Sequence, residues 1–410
     1  MLITRRKMLG LTAATAATAG LMSLTACGGS EGSNGSNNTL VVSETGFEGK
    51  FSPFFANSAA DNDIISLTSL PLISADRMGT IVMNGIEGET IAYNGTDYTY
   101  DGAADVTEDI NDDGSVTYTF KLRQDLKYSD GSALNIDDVI FSTYVFLDPT
   151  YNGGVTLYSV DIKGLADYRT GMATLASLIG NAGRDNTTFD LWSEDQQKAF
   201  WAAVDDGGAK FADAIAAAAW GFEGLPADAT SVQFFEAIAA QYDWDFTACE
   251  AESAGVSISD VFPEDVYAMA TEGVETGESA DFVFGIERVD DYTMKLTTNS
   301  FQSNAIYQMQ MPIASLDYYG DRSQFDFEAH KFGFPKGDLS KARSLVSKPF
   351  GAGPYVFDSY DSGTVHLHAN ENYYKGKPKI EYVNLFDCQD SDKVTGIQAG
   401  TLDVSDPSYS

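Results

Sequence analysis

The chain has 410 residues, of which 43% are hydrophobic, so it is long enough to bury one large core or two ordinary ones. Its 25 Lys and Arg residues stand against 60 Asp and Glu residues, which gives a formal charge of -35. This composition excludes a chain that is disordered throughout, and the charge would repel a nucleic-acid backbone, so we expect no nucleic-acid partner. We interpret the acidity as a solvated surface that keeps the protein soluble.

The first residues have the pattern of an export signal. Basic residues at positions 5–7 precede an apolar run over positions 8–24, and small residues lead up to Cys27. The Leu-Thr-Ala-Cys stretch that ends at Cys27 resembles a bacterial lipobox, in which a peptidase cleaves before the cysteine and its thiol carries the lipid. We therefore predict lipid attachment at Cys27. An ordinary secretory signal with an incidental cysteine is the alternative, and the paired arginines leave the general secretory and twin-arginine routes open.

A short polar segment separates this signal from the folded body. Residues 28–35 contain only Gly, Ser, Glu and Asn, which is typical of a flexible tether. We predict a lipoprotein signal peptide over residues 1–26, a tether over 27–38 and a folded body from 39. No later apolar run is long enough to cross a bilayer. We therefore expect an extracytoplasmic protein, held by its lipid at the outer face of the cell membrane or in the periplasmic space.

Short strands and turns are predicted in the first part of the body, with one helix over Asn62–Leu72 among them. The turn Asn111–Gly114 should form a hairpin that leads into Val116–Leu122. Asn135, followed by two aspartates, is a favourable N-cap, so a second helix is expected to run until Pro149 stops it. The predicted strands are Thr39–Ser43, Thr80–Asn84, Glu89–Tyr93, Asp97–Tyr100 and Val116–Leu122.

From about residue 175 to residue 252 the composition becomes Ala-rich and helical. Two interpretations fit the aromatic residues of this insertion: a platform for a ligand, or the core of a helical subdomain. We favour the core, because large aromatic side chains are mostly buried. All four tryptophans of the chain lie in the insertion: Trp192, Trp201, Trp220 and Trp244.

Strands are predicted again after Gly277. Asp290 and Asp291 should join a hairpin, and the region Gly320–Lys348 is polar and loop-like. A short helix over Lys393–Ala399 should end at Gly400. The predicted strands are Phe282–Val289, Tyr292–Thr297, Tyr355–Tyr360, Thr364–Ala369 and Tyr382–Phe386.

Two patterns could hold a metal ion, and we reject both. The run Asp109–Gly114 resembles the first half of a calcium loop, but the twelfth position, which should be a bidentate Glu, is Phe120. A hairpin turn explains the same residues. His366 and His368 would share one face of a strand, yet two ligands without a third are more typical of exposed strand histidines. We predict no metal and no cofactor.

The sequence contains no catalytic motif. It has no Gly-x-Ser-x-Gly elbow, no His-Glu-x-x-His helix and no phosphate-cradling loop, and His330 has no Ser or Cys motif around it. We therefore predict a protein without catalysis rather than a surface-anchored hydrolase. Cys249 and Cys388 are too few for a disulfide framework, and we expect two thiols, with one bridge between them as the alternative.

Six blocks of the chain occur in an order known from one family. Together they resemble the signature of the peptide/nickel (family 5) solute-binding proteins of ABC importers. With the lipobox, the resemblance covers most of residues 39–403, and the Ala- and Trp-rich insertion is its main departure. The blocks are Val116–Arg123 (VTYTFKLR), Lys127–Gly131 (KYSDG), Asp137–Ser142 (DDVIFS), Asp290–Leu296 (DDYTMKL), Gly351–Tyr355 (GAGPY) and Ala369–Pro378 (ANENYYKGKP).

This resemblance implies an α/β, type II periplasmic-binding-protein-like fold, in which two lobes close on a solute. Residues 39–403 would form mainly the first lobe, with the insertion at about 175–252 as an extra subdomain, and residues 404–410 would start the crossover to a second lobe that we expect to be largely missing. The implied function is capture of peptides for a membrane permease of an ABC transporter. The alternatives are another solute, such as an oligosaccharide or a metal chelate, and a non-transport peptide sensor.

The resemblance also places a ligand cleft between the lobes. Loops beyond the ends of strands line such crevices, so the loop after the first strand should supply cleft residues, namely Glu44, Thr45, Phe47 and Phe51. Further candidates are Pro407, Ser408 and Tyr409, just after the crossover. The alternative is that all of these are ordinary loop residues.

Overall fold

The computed structural model describes residues 38–217, 225–226, 228–250 and 257–405. The predicted signal peptide, Cys27 and the tether up to residue 37 lie outside these residues. Trp220 and the cleft candidates Pro407, Ser408 and Tyr409 also lie outside them.

Strands are distributed along the whole described chain, and most are short. They are β1 (Thr39–Glu44), β2 (Leu70–Pro71), β3 (Glu89–Tyr93), β4 (Thr96–Tyr100), β5 (Ala104–Ile110), β6 (Val116–Leu122), β7 (Met172–Thr174), β8 (Gly273–Glu275), β9 (Ile286–Asp290), β10 (Thr293–Thr298), β11 (Pro312–Ile313), β12 (Phe325–Asp326), β13 (Lys331–Phe332), β14 (Tyr355–Asp361), β15 (Thr364–Ala369) and β16 (Tyr382–Asp387).

Helices lie between these strands and are concentrated in the middle of the chain. They are α1 (Ala59–Thr68), α2 (Ile136–Leu147), α3 (Leu165–Arg169), α4 (Leu175–Ala182), α5 (Glu194–Ala203), α6 (Ala209–Ala214), α7 (Ser231–Gln241), α8 (Phe246–Glu250), α9 (Glu264–Ala268), α10 (Ala305–Gln308), α11 (Leu316–Tyr319), α12 (Ser340–Ser344) and α13 (Asp390–Ala399). A π-helical turn, Val204–Gly208, joins α5 to α6.

The first sheet brings together strands from the two ends of the described chain, in the order β1-β16-β15-β14. β1 and β16 run parallel, from the pair Thr39 and Tyr382 to the pair Glu44 and Asp387. The alternation of β15 and β16 directs Val365, Leu367, Val383 and Leu385 to a buried face, where they pack with α1 and Phe51. This sheet and α1 therefore share one core.

The second sheet is antiparallel, in the order β5-β6-β10-β9. Strict alternation in β6 buries Val116, Tyr118, Phe120 and Leu122, as predicted for a sheet with one face in a core. Helix α2 belongs to the same core, and all of its residues except Asp137 are buried. This is the largest hydrophobic cluster of the described residues.

Helix α2 begins where the sequence predicts. The side chain of its N-cap, Asn135, accepts a hydrogen bond from Asp137 N at 2.9 Å, and Asp138 accepts one from Asn135 N at 3.0 Å. This reciprocal capping box satisfies N–H groups that a helix start leaves unpaired. The helix ends at Leu147, just before Asp148 and the predicted stop at Pro149.

Helices α4 to α9 form a third cluster, which we call the helical subdomain. Trp201 and Trp244 pack edge to face in it, with ring centroids 5.4 Å apart, so the prediction that these rings fill a core is confirmed for both. Trp192 packs against the same cluster but is only partly buried. The backbone of α4 packs closely on the Trp244 ring at Gly180, since a Cβ at this position would lie 2.2 Å from the ring.

Several predicted boundaries are wrong. The first helix begins at Ala59 instead of Asn62, because Ser58 is the N-cap and its hydroxyl accepts from Asp61 N at 3.0 Å. Residues 80–84 make only isolated bridges, at Ile81 and Asn84. The strand predicted from Phe282 begins at Ile286. The polar region 320–348 contains short helices and two-residue strands.

The two described cysteines are both buried, and no disulfide joins them. Cys249 lies in the helical subdomain, whereas Cys388 directly follows the carboxyl end of β16 in the first sheet. Within the described ranges, no helix is both long and apolar enough to span a membrane.

Candidate functional site

A cavity of about 490 Å³ lies where three distant segments of the chain meet. Its size is within the range of small-molecule sites in proteins, about 300–1,000 Å³. The first segment contains the loop before α1, α1 itself and β2, the second is a turn near residue 154, and the third is the chain at the start of β11. The lining residues are Pro53, Phe54, Ala56, Asn57, Asn62, Ile65, Ser66, Ser69, Pro71, Gly154, Val155, Gln310 and Pro312.

The loop before α1 is fixed by the large core beneath it. The ring of Phe54 is buried and packs on Phe146 and Tyr319, with centroids 5.2 and 5.6 Å away. The Ser52 hydroxyl accepts a hydrogen bond from Phe54 N at 3.2 Å. This wall is therefore preformed, and its exposed part is the side chain of Asn57.

The turn that forms the second wall is organised around the hydroxyl of Tyr151. This hydroxyl donates to Phe54 O at 2.8 Å and accepts from Val155 N at 3.2 Å. A Cβ at Gly153 would lie 2.1 Å from Phe54 O, so only glycine allows this close approach. One buried phenol thus joins two walls of the cavity.

The third wall is the pairing of β2 with β11, in which Pro71 lies opposite Pro312 and Leu70 opposite Ile313. Gln310 precedes β11 and contributes the only primary amide of this wall. Ser69 follows α1 and caps it, since its N–H donates to Ile65 O at 2.8 Å.

The polar side chains of the lining are amides and hydroxyls, and none of the lining residues is ionisable. Asn62 Nδ2 donates to the carbonyl of the N-cap Ser58 at 2.8 Å, and the Ser66 hydroxyl donates to Asn62 O within α1 at 3.0 Å. The amides of Asn57 and Gln310 have no hydrogen-bond partner within the described part of the chain, and neither residue is fully buried. These two amides can therefore donate to and accept from a solute.

The predicted cleft residues lie earlier in the same loop, at the carboxyl end of β1. Thr45 is exposed, and its hydroxyl donates to Cys388 O at 3.1 Å. The part-buried ring of Phe47 packs on Tyr360, with centroids 5.7 Å apart. Glu44 is the last residue of β1, and its carbonyl accepts from Cys388 N at 2.8 Å. These residues border β16, and none of them lines the cavity.

Phe51 does not lie on a surface. Its side chain is 0% exposed and packs on Phe47, Phe357 and Tyr360, with ring centroids 5.2 to 5.8 Å away. The side chain of Phe51 therefore has no exposed surface that a solute could contact. It packs beneath the loop and supports it. The prediction is corrected for this residue because the core of the first sheet extends under the loop.

The same loop is also tied to α1 through a buried carboxylate. Asp61 accepts hydrogen bonds from Glu48 N at 3.2 Å and Lys50 N at 3.1 Å, and burial raises the pKa of its carboxyl. The connection holds the predicted residues and the cavity residues on one rigid segment. Asn57 and Ser58, a polar pair at a helix start, are the local signal that could have extended the predicted site to the end of this loop.

The positions rejected as metal ligands have other partners. Asp113 accepts from Ser115 in the hairpin turn, which holds the pKa of its carboxyl below the ordinary value. His366 Nδ1 lies 2.9 Å from Asn384 Oδ1, and His368 Nδ1 lies 2.7 Å from Asp358 Oδ1. Within the described ranges, no three His, Cys, Asp or Glu side chains are grouped so that they could hold a metal ion.

Known proteins resemble the chain over part of their length. Heme-binding protein A of Haemophilus influenzae is 27% identical over 121 residues, which are 29% of this chain and 20% of that protein. Di/tripeptide-binding protein 4 of Pseudomonas aeruginosa is 30% identical over 129 residues, 30% of this chain and 22% of that protein. The crystal structure of NikZ from Campylobacter jejuni in complex with Ni(L-His) superposes with a TM-score of 0.44 at 14% identity, covering 90% of this chain and 43% of NikZ. The chain thus spans less than half the length of NikZ.

A family match covers more of the chain. The sequence profile described as "Bacterial extracellular solute-binding proteins, family 5 Middle" matches residues 101–198 and 233–410, which is more than half of the chain. The predicted α/β class with a type II binding-protein fold is confirmed by this match and by the mixed sheets and helices. The chain belongs to the family 5 extracellular solute-binding proteins of bacteria.

Proposed function

We propose that the chain captures short peptides in the cavity formed by the 53–57 loop, α1, the turn at 154–155 and the 310–312 segment, for delivery to an ABC permease. The observation that carries the proposal is the neutral, amide- and hydroxyl-bearing lining of this cavity. A peptide backbone offers one donor and one acceptor per residue and no charge between its ends. Asn57 and Gln310 have the same paired donor and acceptor groups, so they match it.

Other solutes of the family fit this lining less well. Two of the similar proteins are Heme-binding protein A and NikZ in complex with Ni(L-His). A heme carboxylate would favour a cationic side chain as its partner, and a metal chelate would favour a His, Cys or carboxylate side chain that can coordinate the metal. The lining contains neither kind of side chain. An oligosaccharide commonly stacks on an exposed aromatic face, whereas Phe54, the only aromatic residue of the lining, has a buried ring.

Further parts of the proposal concern the whole protein. We propose that residues 39–403 form the first of two lobes, with the helical subdomain inserted in it, and that Cys27 carries a lipid that holds the protein outside the cytoplasmic membrane. In this arrangement Glu44, Thr45 and Phe47 lie at the rim of the interlobe cleft, at the carboxyl end of β1, where binding crevices of open α/β sheets are found. A sensor of peptides without transport is the second possibility for the same site.

The proposal is tested by titration calorimetry of the full chain with trialanine, maltotriose, hemin and Ni(L-His). Saturable binding of trialanine alone is expected. Asn57→Ala and Gln310→Ala should each weaken trialanine binding by about three- to tenfold, the contribution of one hydrogen bond. Gln241→Ala, an exposed change at the end of α7, is the matched control and should leave binding unchanged. Binding of hemin or the nickel complex in place of trialanine would contradict the peptide proposal.

A further inference from the structure

The turn that forms the second wall of the cavity is held in place by two side chains that do not line the cavity, those of Arg343 and Tyr151. Thr150 O accepts a hydrogen bond from the guanidinium of Arg343 at 2.9 Å, and the same guanidinium lies 4.3 Å from the centroid of the Phe55 ring. The Tyr151 hydroxyl bonds to both Phe54 O and Val155 N. The backbone on either side of Asn152 is thus fixed by the main core, while the side chain of Asn152 points to a different partner.

That partner belongs to the helical subdomain. Asn152 Nδ2 donates to Asp245 Oδ1 at 3.0 Å, and the other amide atom, Oδ1, is buried without a hydrogen-bond partner in the described structure. Asp245 also caps α8, accepting from Thr247 N at 3.0 Å and Ala248 N at 3.2 Å. One carboxylate therefore ties the cavity turn to a helix of the subdomain.

The helical subdomain includes a stretch that the family profile does not match. Residues 199–232 are unmatched, and these include the whole π turn and all of α6, whereas α4, α8 and α9 lie within the matched residues. Asp245 lies beyond this stretch, between α7 and α8. Its position depends on the subdomain core, because the neighbouring Trp244 and Phe246 are both buried there.

Close packing transmits the position of Asn152 to the cavity. Gly153 follows it and has no room for a Cβ between Phe54 O and the Tyr151 hydroxyl, and Gly154 and Val155 then line the cavity. A shift at Asn152 cannot be absorbed at Gly153 without moving Phe54 or Val155. Gly154 and Val155, which line the cavity, are thus two and three residues along the chain from Asn152, which contacts the subdomain.

We propose that the helical subdomain positions the solute-binding turn through the hydrogen bond from Asn152 to Asp245, which makes both of them positioning residues for solute affinity. This inference rests on the proposed function, since the cavity is taken as the solute site. It assigns the helical subdomain a role in binding: through Asp245 it braces residues 153–155, although neither Asn152 nor Asp245 lines the cavity.

Two measurements on the full chain test this brace. The first is hydrogen exchange of the Val155 amide, which donates to the Tyr151 hydroxyl, in the protein without solute. Asn152→Ala should raise the exchange rate of this amide by about three- to tenfold, the effect of one hydrogen bond. The second is the Kd for trialanine, which the same change should weaken by a similar factor at a temperature where both proteins are fully folded. Asp245→Ala should match both effects, and the double variant should be no weaker than the stronger single variant.

Two control variants separate positioning from general destabilisation. Asp245→Asn keeps an acceptor oxygen for Asn152 and a good helix cap, so it should behave as the wild type. Asn181→Ala removes a chemically similar bond, from Asn181 Nδ2 to Asp243 Oδ1 at 2.7 Å, which lies wholly within the subdomain. It should change neither the exchange rate of the Val155 amide nor the Kd.

The outcomes are distinguishable. If Asn152→Ala leaves the exchange rate of the Val155 amide within twofold of wild type, the brace is disproved, whatever the affinity. If Asn181→Ala weakens trialanine binding as much as Asn152→Ala does, the effect is one of stability and the inference is overturned. If the wild-type protein binds no trialanine, the proposed function fails, and the exchange measurement still decides whether the subdomain holds the turn.

Discussion

At the scale of single residues, Asp138 has an environment that makes the stability of the fold depend on pH. Its side chain is fully buried and accepts hydrogen bonds from Asn135 N at 3.0 Å and Leu316 N at 2.9 Å. The nearest cation, Arg322, lies 3.7 Å away and is partly exposed. Burial outweighs these partners and raises the pKa of the carboxyl to about 6.

The raised pKa of Asp138 predicts that stability falls as the pH rises from about 4 to about 6. The folded state holds the proton more tightly than the unfolded chain, so the protonated carboxyl contributes stability below the ordinary pKa, and that contribution is lost as the folded group ionises. At about 1.4 kcal/mol per pKa unit, the loss is on the order of 2 to 3 kcal/mol. Asn at position 138 is uncharged at every pH in this range, so Asp138→Asn should not show this loss of stability.

Urea unfolding of both proteins at several pH values between 4 and 7 measures this effect. The free energy of unfolding of the wild type should fall relative to that of Asp138→Asn across the interval. Asp112→Asn, at the exposed tip of the hairpin, is the control and should follow the wild type. A constant difference between wild type and Asp138→Asn would show that the backbone hydrogen bonds, and not burial, dominate at this site.

At the scale of elements, the packing of α4 on Trp244 is sensitive to a single methyl group. Alanine is the better helix former by about 1 kcal/mol, so Gly180→Ala would stabilise an isolated helix. In the subdomain, however, the new Cβ would meet the Trp244 ring at 2.2 Å. Overpacking of this kind costs about 1–3 kcal/mol, and more where the backbone cannot move, so we expect a net destabilisation of the subdomain.

Intrinsic fluorescence reports on this change, because all four tryptophans lie in the inserted region. Gly180→Ala should lower the midpoint of the fluorescence-detected unfolding transition. Gly277→Ala adds the same methyl group where nothing lies within 4 Å. It should keep the free energy of unfolding within about 0.5 kcal/mol of wild type, so the midpoint should stay nearly unchanged. Equal midpoints for the two variants would mean that α4 shifts freely and that the Trp244 contact does not define its position.

The elements themselves could be predicted where the signal is local. The alternation of β6 and the capping residues of α2 are both visible in the sequence, and both elements are confirmed. Helix α1 was placed three residues late because Ala59 and Ala60 carry no amphipathic signal, although Ser58 and Asp61 do mark the start. The segment at 80–84 looks like a strand locally, but only isolated bridges form there, so tertiary pairing decides its state.

At the scale of the whole molecule, the cavity could not be predicted because it forms where segments far apart in the sequence meet. Asn57, Val155 and Gln310 converge through the packing of Phe54 and Tyr151, and no local periodicity encodes that convergence. The family, in contrast, was visible from blocks spread over the chain, since structural signatures are continuous runs. Recognition of the family and identification of its site therefore depend on different kinds of information.

Attachment to a membrane is also a property of the whole molecule, and it gives the last prediction. Cleavage before Cys27 and attachment of a lipid to its thiol through a thioether would add acyl chains that bury methylenes at about 0.8 kcal/mol each, and stable anchoring needs more than one chain. The wild type expressed in a bacterium should therefore sediment with membranes and have a mature N-terminus at Cys27. Cys27→Ser should move the protein to the supernatant, because the hydroxyl does not accept the thioether lipid.

Cys388→Ser is the matched control, since it changes a buried thiol in the folded body and leaves the signal intact. It should stay with the membranes, and mass spectrometry of its N-terminal peptide should still show the lipid. If Cys27→Ser sediments with membranes as the wild type does, the N-terminal segment is an ordinary signal or anchor and Cys27 is incidental. If both variants are released, the folded body and not the lipid determines where the protein resides.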